Sequence, residues 1–226
     1  MLREYVAMDK YRPFAKIASL ALAGVLAVCA LIAQAADFNT EPVILVAKPA
    51  LNADQFYGST ILIVKPMGED QHVGFIINKP TPLTLGRLFL DDEPSQKVKE
   101  PVFLGGPVST TILFALVQSH DRPDGGAMQI TPDLYAVVDR VGVDNVIAKE
   151  ADHARFYAGL VVWQPGELRD EIDRGFWYVL DADTKLVLRK STDGMWEELL
   201  ERSRMAARRV SASAQDPHHY HYPYLF

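Results

Sequence analysis

Phe156-Tyr157-Ala158-Gly159-Leu160-Val161-Val162-Trp163 is eight residues long and carries no charge. Aromatic and β-branched side chains dominate it, with no polar residue at every second place. It therefore reads as a strand buried on both faces. Val143 to Phe156 reads as a helix leading into it, with Val146, Ile147 and Glu150 in its middle. Gly166 to Arg174 reads as a compact helix leading out. Gly175-Phe176-Trp177-Tyr178-Val179-Leu180 then reads as a second buried strand. Gly159 is the odd residue, because glycine weakens a strand interior. A position without a side chain makes sense if a backbone or a bulky ring packs directly over it. The rings of Phe176, Trp177 and Tyr178 are the natural candidates.

Working outward, Val43 to Ala47 is a short apolar strand stopped by Lys48-Pro49. Thr60 to Val64 and Val73 to Ile77 flank Met67-Gly68-Glu69-Asp70, a turn by composition, and so form a hairpin. Thr84 to Leu90 reads as a short helix with Leu85, Leu88 and Phe89 on one face. Asp91 to Glu100 is charged, contains Pro94, and reads as a solvated loop. Val102 to Leu104 and Ile112 to Val117 read as strands, although a buried helix fits the second run as well. Ala127 to Ile130 and Leu134 to Val138 form another strand pair. Lys185 to Leu188 extends the sheet, and Met195 to Arg208 is a last helix. No repeat of 20–50 residues is present, and strands outnumber what a βαβ series allows. The physical reading is a single-domain α+β fold: a mixed, partly barrel-like sheet with surrounding helices.

The ends of the chain differ from this body. Residues 1–35 hold Arg3, Lys10, Arg12 and Lys16, an apolar run from Ile17 to Ile32, and then Ala33-Gln34-Ala35. That order is a secretory signal peptide, cleaved after Ala35. An uncleaved inner-membrane anchor is the alternative, but the run is short of the ~20 apolar residues that span a bilayer, which favours cleavage. Export places the protein in the periplasm. The lone cysteine, Cys29, would leave with the leader, which suits an oxidising compartment. The whole chain carries −6, and the leader has four cations against Glu4 and Asp9, so the mature chain carries −8. Such a charge repels phosphate backbones and argues against nucleic acid as a partner. Residues 36–208 form the domain, and 209–226 read as a disordered tail rich in His and Tyr.

Few residues suggest chemistry. Gly105-Gly106-Pro107 allows a phosphate-loop reading, but lacks the Lys-Ser/Thr ending, and a tight turn between two strands explains it as well. Glu167 and Glu171 lie four apart on one helix face, where paired carboxylates can do acid/base work or hold a cation. Glu167 also suits the positive end of the helix dipole without any function. His72 and His120 fall in turns and read as solvated. His218, His219 and His221 in the tail can ligate a metal, although the tract lacks a fixed geometry. No nucleophile elbow, Gly-rich dinucleotide loop or zinc pattern is present, so no catalytic residue and no cofactor are assigned.

Three blocks in order give a further lead. The first holds Pro49-Ala50-Leu51, Phe56-Tyr57-Gly58-Ser59-Thr60 and Val73-Gly74-Phe75-Ile76-Ile77-Asn78-Lys79-Pro80. The second is Val102-Phe103-Leu104-Gly105-Gly106-Pro107-Val108. The third runs from Tyr157-Ala158-Gly159 through Pro165-Gly166-Glu167-Leu168 to Trp177. Together they resemble the YqgE/AlgH family of bacterial proteins over residues 43–203. The resemblance implies one α+β domain with a bifurcated, partly barrel-like sheet and no accepted catalytic residues. It differs in Gln164-Pro165, in Glu167 where Gln is commoner, and in a leader that most members lack, their default being cytoplasmic. The leading expectation is a non-enzymatic binding or regulatory module in the envelope, meeting a protein or small-molecule partner. Two alternatives stand beside it: a hydrolase or metal-assisted enzyme using Glu167 and Glu171, and a cytoplasmic transcriptional regulator, as the family name suggests.

Overall fold

The computed structural model describes residues 37–214. Within them lie ten strands: β1 (Val43–Ala47), β2 (Ile61–Gly68), β3 (Gln71–Ile76), β4 (Pro80–Thr84), β5 (Pro101–Leu104), β6 (Val108–Gln118), β7 (Ala127–Thr131), β8 (Leu134–Val137), β9 (Ala154–Trp163) and β10 (Trp177–Asp181). Six α-helices accompany them: α1 (Leu85–Leu88), α2 (Glu93–Lys97), α3 (Arg140–Lys149), α4 (Glu167–Asp173), α5 (Thr184–Val187) and α6 (Met195–Ala214). The architecture is the expected α+β fold with a curled, mixed sheet. The leader 1–35 and the tail histidines His218, His219 and His221 lie outside the described residues.

Strand order runs β10-β1-β2-β3-β9-β6-β8-β7, with β5 on β9 and β4 on β5. The β2–β3 hairpin closes through Glu69 and Asp70, both at positive φ (+49° and +59°). That pair of dihedrals matches the right-handed twist of a tight hairpin. Both faces of the sheet are covered, which is why its inner strands read as unbroken apolar runs. Ile44 and Val46 face one core with Phe75, Phe114, Tyr157 and Leu199. Their neighbours Val43, Leu45 and Ala47 face another with Trp163, Leu168 and Trp177. A third core, with Val117, Val137 and Phe156, lies under Val143, Val146 and Ile147 of α3.

The sheet forks at β9. One edge of β9 pairs with β6, from Ala154 to Leu160. The other edge is shared: β5 runs parallel along Tyr157 and Ala158, and β3 runs antiparallel along Val161 to Trp163. Gly105-Gly106-Pro107 therefore does not join neighbouring strands, as a tight turn would. It carries the chain from one edge of β9 to the other, over β9 itself.

Other expectations need correcting. Asp91 to Glu100 is not all loop: α2 forms there because the Asp92 side chain accepts the Ser95 N–H at 2.9 Å and caps it. The helix before β9 starts at Arg140, capped by Asp139, and ends at Lys149, so Ala154 to Phe156 already belong to the strand. Lys185 to Leu188 does not extend the sheet; Asp183 caps the short α5 there. β10 pairs with β1 rather than β9, which removes its rings as the cover over Gly159. Of the three apolar residues expected on one face of α1, Leu85 is buried while Leu88 and Phe89 stay about two-fifths exposed (43% and 42%). The last helix runs past Arg208 to Ala214. His72 is buried at 1% exposure, with Nε2 2.9 Å from the Phe38 carbonyl. It lies within a strand whose neighbours shut out water.

Candidate functional site

Glu167 and Glu171 lie on α4 as expected, but each is already engaged. The Glu167 Oε2 accepts the Gln164 N–H at 2.7 Å, closing the turn into the helix. The Glu171 Oε2 accepts two indole N–H groups, Trp163 Nε1 at 3.1 Å and Trp177 Nε1 at 2.7 Å. Both indoles are nearly fully buried. One carboxylate thus ties β9 to β10, which are not neighbours in the sheet. A hollow of about 270 Å³ opens beside it, lined by Tyr57, Glu167, Asp170, Glu171 and Arg174 among others. Burial, with the Glu171, Asp54 and Glu167 charges, pushes the Tyr57 hydroxyl up to about 12. It stays protonated throughout the neutral range, so it keeps a proton to donate and does not act as a phenolate there. Among the described residues no group of three or more His, Cys, Asp or Glu is arranged to hold a metal ion. Glu171→Ala is expected to lower stability by about 1–3 kcal/mol, the cost of stranding buried donors. Urea melts check this, and a midpoint equal to the parent's would show that the indoles do not depend on the carboxylate.

Gly105 and Gly106 are buried against β9, with the Gly105 N–H donating to the Ala158 carbonyl and the Gly105 carbonyl accepting from Ile76. A Cβ on Gly105 would stand 2.1 Å from the Gly159 carbonyl oxygen, and one on Gly106 2.3 Å from that of Leu160. The glycines make room for a strand, not for a phosphate. His120 and His153 are exposed and on separate elements.

The concavity that sequence reading missed is larger. About 580 Å³ opens between α1–α2, the first half of β6, and α3. Phe89, Ile112, Leu113, Val143 and Ile147 make its apolar walls, and Arg140, paired with Asp144 at 3.8 Å, stands on the lining. Ile112 is 49% exposed, and Leu90 and Val141, next to lining residues in the chain, are 76% and 68% exposed. The backbone beside these side chains departs from regular strand pairing. The β6–β9 register jumps from Val108↔Leu160 to Leu113↔Ala158, and β8 pairs with β6 only from Ala115. Ser109 to Ile112 therefore bulge out of both ladders, with Ser109 at φ +55°. The clue in the sequence was Ile112 following Ser109-Thr110-Thr111 with no alternation. That pattern fits a strand whose near end is not covered.

This fold has counterparts. A family described as AlgH-like matches residues 44–208. The chain belongs to the AlgH-like family. Relatives in the family include a UPF0301 protein of Ruegeria pomeroyi, 32% identical over 76% of this chain and 95% of its own length. Another, from Streptomyces avermitilis, is 30% identical over 77% of this chain and 92% of its own. The solution structure of the AlgH protein from Pseudomonas aeruginosa superposes with a TM-score of 0.56 at 20% identity, covering 82% of this chain and 98% of that one. A Corynebacterium diphtheriae crystal structure gives 0.59 at 18% identity, over 72% and 86%. At such identities the two structures support the AlgH-like fold, and they say nothing of activity.

Proposed function

We propose that this AlgH-like chain is a non-enzymatic binding module of the cell envelope that holds an extended apolar segment of a partner protein. The observation that carries the reading is the groove between α1–α2, β6 and α3. It joins exposed apolar side chains to a length of bulged strand outside both ladders. Strand-like peptides dock on that combination, backbone to backbone with alternate side chains in an apolar slot. A hydrolase reading has less support, because Glu171 is spent on two indoles. A DNA-binding regulator is disfavoured by the acid excess of the chain. A photo-crosslinking residue at Ile112 is expected to give a discrete adduct in intact cells, whereas the same residue at Glu197 on α6 gives none. No adduct at position 112, or the same adducts from both positions, would overturn the groove as the binding surface.

The envelope half of the reading rests on residues 1–35, and it predicts a mature N-terminus at Ala36. N-terminal sequencing of the purified protein tests it. An intact Met1 on protein recovered from the cytoplasm would refute export while leaving the groove untouched.

A further inference from the structure

From residue 37 onward the lysines are Lys48, Lys65, Lys79, Lys97, Lys99, Lys149, Lys185 and Lys190. Four of these eight, Lys97, Lys99, Lys149 and Lys190, line one pocket of about 480 Å³. They reach it from separate places: the end of α2, the connection after it, the end of α3, and the chain beyond α5. In a chain where acids outnumber bases 29 to 23, such convergence is a local reversal of the background charge. Glu100 and Asp152 also line the pocket, so the lysines exceed the acids on its wall by two. Lys97 lies 2.8 Å from Glu93, and Lys99 donates to the Gln96 carbonyl at 2.7 Å. Among the described residues, neither Lys149 nor Lys190 has a carboxylate within ion-pair distance.

A second, independent feature places a buried positive charge against the residue that precedes Lys190. Arg155 is buried at 2% exposure and, among the described residues, has no carboxylate partner; its guanidinium is held by the carbonyls of Ile77, Val187 and Arg189. The chain that holds it passes directly from Arg189 into Lys190 of the pocket wall. A buried cation without a counter-ion is screened far less than a surface one. A cleft lined by one sign of charge over low-dielectric walls focuses that field. Val98, Ile147, Ala148 and Ala151 supply an apolar side to the pocket.

We infer that this pocket binds a small organic anion carrying two or more negative charges on an apolar body, a phosphate ester or a polycarboxylate. The site is separate from the peptide groove, although Ile147 of α3 lines both. The two can therefore fail independently. The test titrates the full-length ¹⁵N-labelled protein with pyrophosphate and with citrate at ~20 mM salt, where screening is weak. Amide shifts are expected at 97–100, 147–152 and 190. Tighter binding of pyrophosphate assigns the ligand to phosphate esters, and tighter binding of citrate to polycarboxylates. The double variant Lys149→Gln/Lys190→Gln is expected to bind about tenfold or more weakly. Lys65→Gln/Lys185→Gln, which removes the same charge elsewhere, is expected to bind as the parent does. Absence of localised shifts with both anions, or equal weakening in the two double variants, would overturn the site.

Discussion

Gly159→Val is expected to lower stability by about 3 kcal/mol or more, or to prevent folding. Gly159 sits at φ +77°, and a Cβ built on it would stand 2.5 Å from the Gly106 carbonyl oxygen and 2.9 Å from that of Val108. Both obstacles are backbone, so no rotamer change relieves them. They cannot retreat either. The Gly105-Gly106 crossing is pinned on one side by the Gly105 N–H to Ala158 and on the other by Ile76 N–H to Gly105. Two penalties add: a left-handed φ, worth about 1–2 kcal/mol for a side-chain-bearing residue, and overpacking at the fork, worth about 1–3 more. A control separates them. Gly166 has φ +85° and, among the described residues, nothing within 4 Å of its would-be Cβ, so Gly166→Ala meets only the first penalty. Urea melts of Gly159→Ala and Gly166→Ala should therefore differ by at least about 1 kcal/mol. Equal midpoints would mean that the crossing yields freely, and that the fork is not the rigid centre of the fold.

The same fork shows how far a sequence can be read. The unbroken run 156–163 was legible as a central strand, and Gly159 as a place where something packs, because both are local consequences of composition. What packs there was not legible. Rings of the following strand looked nearest in the chain, yet the crossing backbone comes from residues 105–107, some fifty positions earlier. Strand order is set by which edges meet, and no periodicity records it. The errors at 91–100 and 185–188 have a different cause. Asp92 and Asp183 are helix caps, and a cap before only four or five helical residues leaves too little pattern to outweigh charge or β-branching. By sequence His72 falls in the turn, because the apolar run opens one residue later at Val73; in the strand it points to a closed interior. The groove escaped notice for a reason of principle. Exposed apolar residues such as Leu90, Ile112 and Val141 look like core residues until the structure shows that none of the described residues covers them. Glu171 was found for its spacing, but its two partners are tryptophans on different strands, which a helix-face argument does not reach.

Arg155→Met is expected to cost about 2–4 kcal/mol, the loss of a hydrogen-bonded buried charge weighed against the relief of its desolvation. Methionine fills nearly the same volume and keeps a flexible stem beside Phe103, so the change removes mainly the guanidinium. That group lies 4.4 Å from the Phe103 ring centroid and donates to Val187 at 2.8 Å, to Arg189, and to Ile77 at 3.5 Å. One of these carbonyls ends α5, one lies two residues beyond it and one follows β3, so a single fork ties α5 and its exit to the end of β3. Among the described residues its Nε finds no hydrogen-bond partner, and neither does the Tyr157 hydroxyl two residues on. Burial pushes that hydroxyl's pKa up, and the nearby Arg155 charge offsets only part of the rise. The cation is thus imperfectly solvated, which argues for a gain on removal. The orphaned carbonyls argue for a loss, about 1–3 kcal/mol for each that water cannot reach. Val187 and Ile77 are both 0% exposed, so two are beyond easy hydration and the loss should win. Arg155→Lys discriminates further, since it keeps the buried charge but has no planar fork to span Val187 and Arg189. It is expected to be no more stable than Arg155→Met. If the methionine variant instead melts at or above the parent's urea midpoint, the guanidinium is a net burden on the fold.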